Sequence, residues 1–257
     1  YVGRLVLQEY DHSKKKMVGP IKDIYAADKI FLEGPHIFKK DGYYYLFNAD
    51  TGTGEGHGQS IQRSRNIWGP YEWNENNSIL TSRDHPDFPL QKSGHADLVQ
   101  TQTGEWYAVH LCGRPLNNRN RDDAPRFPGA RRYTLGRETA IQKMEWTEDG
   151  WPRLSNGTSL PDVEVDAPNL PEWSFEKKPE KDDFDNVTLD LDYQSLRIPL
   201  DETFYSLTER TGYLRLYGRE GLASEFYQSL IAKRWTEFKF EADTKVEFKP
   251  TVFKQMA

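Results

Sequence analysis

A chain of 257 residues has room for one large domain or two small ones, and its hydrophobic fraction of 36% is low beside an aromatic fraction of 13%. The net charge of −6, with no sustained basic stripe, makes nucleic acid and anionic membranes poor partners, and no apolar run is long enough to span a bilayer as a helix. The single cysteine, Cys112, excludes an intrachain disulfide and leans towards a reducing compartment, while 7 Trp and 14 Tyr suit an all-β protein, either stacking on sugar rings or filling its strands with aromatics.

In chain order, residues 1–25 read as a hairpin. Arg4 to Tyr10 is a strand, Asp11 to Lys16 a charged turn and Met17 to Tyr25 a return strand. Standing first, it reads as the outer half of a propeller blade. Two aromatic-rich runs then flank Lys39-Lys40-Asp41-Gly42, a tight turn in which Gly42 supplies the positive φ. Glu33 stands just before Gly34-Pro35, at the mouth of the first of these strands, with the glycine-rich stretch Asp50 to Gly58 across from it. A carboxylate backed by aromatics there suits a general acid whose pKa burial raises towards the working pH. On spacing alone the same glutamate reads as a solvated residue before a turn. The first full blade runs over about 33–73, through Gln59 to Ser64 and the corner Trp68-Gly69-Pro70-Tyr71.

Asp41-Gly42-Tyr43-Tyr44-Tyr45 returns as Thr103-Gly104-Glu105-Trp106-Tyr107, at an offset of 62 residues. Blades of four strands with long inserted loops produce such a repeat, as does a plain antiparallel meander. Arg114 to Arg132 has the composition of a solvated loop, and residues 134–154 return to strand. Pro161 to Asp183, rich in proline and charge, is the linker candidate. Beyond it, Gly212 to Gly218 reads as a strand. So does 238–248, where Phe238, Phe240, Ala242, Thr244, Val246 and Phe248 alternate with charged residues, giving one buried and one wet face.

Several words in this order, Glu33-Gly34-Pro35-His36, Tyr43-Tyr44-Tyr45-Leu46, Gly94-His95-Ala96-Asp97, Leu135 to Ala140 and Glu145 to Trp151, resemble glycoside hydrolase family 43 along the whole chain. The resemblance is nearest to its β-xylosidases and α-L-arabinofuranosidases. It implies an all-β chain: a partial five-bladed β-propeller over 1–160, a linker over 161–183, and over 184–257 the N-terminal part of a C-terminal β-sandwich, truncated at both ends. It also implies inverting hydrolysis of a xylo-oligosaccharide or an arabinose-substituted glycan without a cofactor, although some relatives place calcium near the counterpart of His95.

By that resemblance Glu33 is the general acid, Thr53 lies near the leaving-group side, His95 lies near the propeller axis, and Arg137 contacts the sugar and the catalytic carboxylates. A guanidinium offers hydroxyls and carboxylates a rigid, permanently charged fork, and a neutral imidazole donates on one side and accepts on the other. Without the resemblance, His95 reads as a structural histidine and Arg137 as a strand arginine pairing with Glu138 or a neighbour. Asp97 matches no catalytic position and reads as a strand-edge aspartate. Inversion needs a second carboxylate ~6.5–9.5 Å from the acid. Neither the family's motif for that base nor the one for the aspartate that tunes the acid occurs here, so the chain made alone is expected to be inert while its parent hydrolyses. The competing class is a non-catalytic carbohydrate-binding propeller. Glu33, Thr53, His95 and Arg137 are expected to converge on one cavity.

Overall fold

A computed structural model describes residues 4–26, 31–116, 131–221 and 223–255. The chain divides into two units, Tyr1–Glu172 and Trp173–Ala257, with the division inside the proline-rich stretch. The described residues contain no helix, so none is long and apolar enough to cross a membrane.

In the first unit, β1 (Arg4–Asp11) and β2 (Lys16–Ala26) form the opening hairpin. Next come β3 (Leu32–Lys40), β4 (Tyr43–Asp50), β5 (Gly58–Ser64), β6 (Glu72–Trp73) and β7 (Leu80–Thr81). Strands β3 to β6 lie side by side in order, and β7 also pairs with β5. The second large sheet holds β8 (Gln91–Gln100), β9 (Trp106–Gly113), β10 (Glu138–Trp146) and β11 (Pro152–Leu154), again in sequence order. The 62-residue repeat therefore marks equivalent turns, β3–β4 and β8–β9. In the first of these, Lys40 pairs with Tyr43, and both Asp41 (φ 48°) and Gly42 (φ 77°) are left-handed, as a two-residue turn with both central residues at positive φ requires.

The fourth position of the first sheet is a broken strand. β6 pairs with Gln62 and Arg63 at one end of β5, and β7 with Gly58 and Gln59 at the other. Between them the Asn77 side chain accepts from the Ile61 N–H at 2.9 Å and donates to the Ile61 carbonyl at 2.8 Å. One amide side chain thus satisfies the backbone groups that a continuous strand would have covered.

The aromatic run of β4 is buried on both faces, which is why it reads as continuous rather than alternating. Tyr45 and Phe47 point towards the second sheet and pack with Ile61, Ala96, Leu98, Ala108, Met144 and Leu154. Leu46 faces the other way and packs with Leu5, Ile24, Leu32 and Tyr71 against the opening hairpin. Tyr45 meets Trp146 edge to face, with centroids 5.0 Å apart, and donates to the Gly150 carbonyl at 2.6 Å. Three antiparallel sheets stacked face to face in chain order are the blade arrangement that the repeat implied.

In the second unit, β12 (Tyr193–Gln194) pairs with β15 (Ala232–Lys233), and β13 (Tyr205–Ser206) with β14 (Arg215–Leu216). The expected strand over 238–248 is not formed, and the one over 212–218 shrinks to Arg215–Leu216. Phe240 and Val246 are 56% and 64% exposed. Alternation decides which faces a strand would present, but a strand also needs an edge to pair with, and no described strand forms a ladder with this stretch. Glu247 instead takes a salt bridge from Arg210 at 2.8 Å.

Candidate active site

The strand registers gather the site residues at one end of the two sheets. Glu33 lies opposite Ala49, β4 ends at Asp50 opposite Gly58, and residues 51–57 loop between them. In the second sheet Gln91, which opens β8, faces Gly113 at the end of β9, and Glu138, which opens β10, faces Cys112. Three irregularities fall at this end. β3 slips between Glu33 and His36 around Gly34 (φ 55°), and β8 slips twice, with Lys92 (φ 56°) and His95 (φ 50°) left-handed. Bulges re-aim the side chains next to them, and a non-glycine residue held at positive φ costs about 1 kcal/mol or more, so the packing around His95 has to hold it there.

Glu33 is half-buried. The backbone that follows it lies flat on His95, for a methyl group on Gly34 would stand 2.3 Å from His95 Nε2. His95 meets His36 edge-on at 6.4 Å, and His36 Nδ1 is 3.5 Å from Asp97. Asp97 itself is exposed and accepts from the Leu98 N–H at 3.0 Å, as a strand-edge aspartate does. His57, not singled out from the sequence, is fully buried where the glycine loop returns to β5. Its Nδ1 bonds the Gly52 carbonyl, and its Nε2 has no partner among the described residues. Burial holds the His57 pKa below the ordinary histidine value. The Gly52 bond, Asp50 and Glu33 oppose that shift and His95 adds to it, so His57 shares one electrostatic neighbourhood with Glu33 and His95. A histidine inside a glycine run that abuts a strand was the available signal.

Thr53 is exposed on the outer turn of this loop, and no described contact joins it to Glu33. Arg137 is exposed beside Glu138, whose carboxylate accepts from Arg114 at 2.7 Å. Lys92 sits over the Tyr133 ring at 4.0 Å. Burial lowers the Lys92 pKa, Glu55 raises it, and Arg131 and Arg137 lower it further, so Arg137 stands within electrostatic reach of β8. The structure thus packs the Gly34 backbone next to Glu33 on His95, with His57 in the same electrostatic neighbourhood. Arg137 and Thr53 share their end of the sheets, Thr53 through the loop that ends in His57. The described residues hold no group of three or more His, Cys, Asp or Glu side chains suited to a metal. Calcium asks for six to eight oxygens, so no step below runs through one.

Of the loop expected over Arg114 to Arg132, residues 117–130 lie outside the described ones. Arg131, at its far end, is not a solvated insertion residue. Its side chain is 10% exposed and donates to Pro86 O at 2.7 Å, Gln91 Oε1 at 2.8 Å and Glu55 Oε2 at 2.5 Å. Composition marks such a stretch as polar without revealing which arginine finds an acceptor.

Asp50, 1% exposed, forms the floor beneath the glycine loop. It accepts from Ser78 Oγ at 2.6 Å, from Arg83 at 2.5 Å and from Ser60. Removing one partner of a buried pair leaves the other charge uncompensated, so Asp50→Ala is expected to cost about 3 kcal/mol in urea unfolding. An unchanged midpoint would mean that Arg83 finds water instead.

His110 is buried too, with Nδ1 on the Leu111 carbonyl at 3.0 Å, and burial pushes its pKa down to about 4. The unfolded chain takes up this proton near pH 6.5 and the folded one only near 4, so between those values the unfolded state binds more protons. Stability is therefore expected to fall as the pH drops from about 6.5 towards 4. The His110 ring should stay neutral in NMR titration at about pH 5, and a ring that titrates near 6.5 contradicts this.

Comparison with known proteins follows the same division of the chain. The model for "Glycosyl hydrolases family 43" matches residues 2–152, and that for "Beta xylosidase C-terminal Concanavalin A-like domain" matches 181–257. A "Beta-xylosidase" of Bacillus subtilis is 46% identical over 99% of this chain and 47% of its own length. A "Non-reducing end alpha-L-arabinofuranosidase" of Bacteroides ovatus is 40% identical over 86% of this chain and 39% of its own. The crystal structure of a xylan beta-1,4-xylosidase from Bacillus halodurans superposes with a TM-score of 0.83 at 50% identity, covering 91% of this chain and 42% of that one. The chain thus spans about half the length of the curated relatives it matches.

Proposed function

This chain belongs to glycosyl hydrolase family 43, and from that membership and the cluster at the strand ends we propose that it supplies the acid side of a glycosidase acting on xylose- or arabinose-containing glycans. The observation that carries the reading is the packing of Glu33-Gly34 on His95, and of His57 on Gly94 beside it, across two sheets at bulged strand ends. A half-buried carboxylate on a rigid strand mouth, beside an imidazole held by a strained backbone, is a preorganised proton donor.

In the proposed reaction water attacks the anomeric carbon as the bond to the leaving oxygen breaks. Glu33 gives that oxygen its proton, and a second carboxylate takes the proton of the water. His95, packed on the backbone next to Glu33, orients the acid. Arg137 offers its fork to the hydroxyls of the terminal sugar, and Thr53 faces the leaving group. The second carboxylate is not assigned to a residue of this chain, so the 257 residues made alone are expected to turn over no xyloside at an enzymatic rate.

The test is hydrolysis of 4-nitrophenyl β-xyloside and 4-nitrophenyl α-L-arabinofuranoside by the full-length gene product, with the anomer first released followed by NMR. Inversion with either sugar supports the proposal. Retention, or turnover of neither substrate, refutes it. The ratio of the two rates assigns the preferred sugar.

A further inference from the structure

Glu55 lies in the glycine loop two residues beyond Thr53, and its carboxylate is occupied. Arg131 Nη2 donates to Oε2, and the Tyr133 hydroxyl reaches Oε1 at 2.7 Å and Oε2 at 2.8 Å. The same guanidinium is anchored on the second sheet through Gln91 Oε1. Gln91 is buried and itself donates to the His85 and Phe88 carbonyls, both at 2.8 Å. Tyr133 is wedged against Gly113, where a methyl group would come within 2.6 Å of its ring, and it carries Lys92 on its face. Within the loop the bonds close locally, Thr51 Oγ1 to Gly56 O and His57 Nδ1 to Gly52 O, so they shape the loop without fixing where it points. His57 at its end packs against Gly94, and Glu55 ties the middle of the loop to the second sheet through side-chain hydrogen bonds.

We infer that Glu55, Arg131 and Tyr133 form a latch that positions the glycine-rich loop, and with it Thr53, over the leaving-group side of the site. They are positioning residues for the proposed hydrolysis and act through Thr53, so the inference rests on that reading. The glycines make the need plain: Gly52, Gly54 and Gly56 flank Thr53 and Glu55, and a segment this free in φ and ψ holds no side chain in place unless something outside it does. A guanidinium fork and a rigid phenol on one carboxylate supply a directional clamp. The loop hangs from the first sheet and its clamp from the second, so any shift between the sheets is transmitted to Thr53.

The experiment uses the full-length gene product with Glu55→Gln, Tyr133→Phe, Arg131→Lys, Thr53→Ala and the double variant Glu55→Gln/Thr53→Ala. Tyr133→Phe keeps the ring under Lys92 and removes one hydroxyl, so it is the variant that must fold. On xylobiose each latch variant is expected to lower kcat about tenfold, in line with small misplacements of a positioning group. The thermal midpoint should be unchanged. The double variant should lose no more than Thr53→Ala alone. Latch variants that keep kcat within about twofold, losses that multiply with that of Thr53→Ala, or a Thr53→Ala variant as active as its parent each overturn the latch. Failure of the hydrolase reading appears separately, as a parent without activity or a Glu33→Gln variant that retains it.

Discussion

Glu33→Gln in the full-length gene product is expected to lower kcat/KM on xylobiose by ~10²–10⁴, the range that a positioned general acid contributes. Glutamine keeps the shape of the side chain and its place at the bulged mouth of β3, so the backbone contact of Gly34 with His95 survives and only the transferable proton is lost. The loss should depend on the leaving group. A sugar alkoxide needs its proton in the transition state, while 4-nitrophenolate departs with little help, so the nitrophenyl xyloside should lose far less. A Glu33→Gln variant that cleaves xylobiose at the parental rate would remove Glu33 from the acid role and send the search to another carboxylate at this end of the sheets.

Gly94→Ala is expected to be strongly damaging, because the atoms a methyl group would meet there are largely backbone. A Cβ at this position would lie 2.5 Å from the Gly58 carbonyl oxygen, 2.6 Å from its carbon and 2.7 Å from His57 Cδ2. Two of those neighbours are backbone of a paired strand and cannot swing aside, so the sheets must separate where β8 crosses β5. Overpacking of a fitted interior costs ~1–3 kcal/mol, and the position argues for the upper end. The separation would also pull His95 off Gly34 and disturb the bond from the Ala96 N–H to Gln59 Oε1 (2.5 Å), which crosses from one sheet to the next. Thermal unfolding should show a midpoint lower by several degrees, together with lost activity. Gly54→Ala is the matched control, because a Cβ there meets nothing within 4 Å. Equal midpoints for the two variants would mean that the sheets have slack at this crossing.

Arg131 shows why part of the site could not be read in advance. In sequence it ends a run of arginines mixed with Asp, Asn and Pro. Nothing local distinguishes it from its neighbours, because its three acceptors come from Glu55, Pro86 and Gln91. His57 was hidden for a related reason. A histidine after glycines looks mobile, yet the loop closes on itself and delivers the ring into the space between β5 and β8. Glu33, His95 and Arg137 became candidates only through the resemblance of their flanking words to the family. Their spacing alone left ordinary structural roles open.

By itself the sequence determined what depends on near neighbours along the chain. That covers the opening hairpin, the Asp41-Gly42 turn and the aromatic-rich strands that flank it, the repeat that pairs β3–β4 with β8–β9, and the all-β character that follows from them. Each is governed by φ preference or by the two-residue period of a strand, and both act within a few residues. Tertiary structure alone decided the bulges that turn Lys92 and His95 into left-handed conformations, the broken fourth strand bridged by Asn77, the latch on Glu55, and the absence of a ladder over 238–248. In each case the deciding partner lies elsewhere in the chain, on another strand or loop, or is a missing edge. A hydrogen bond to a distant acceptor leaves no periodic trace in the residues that make it.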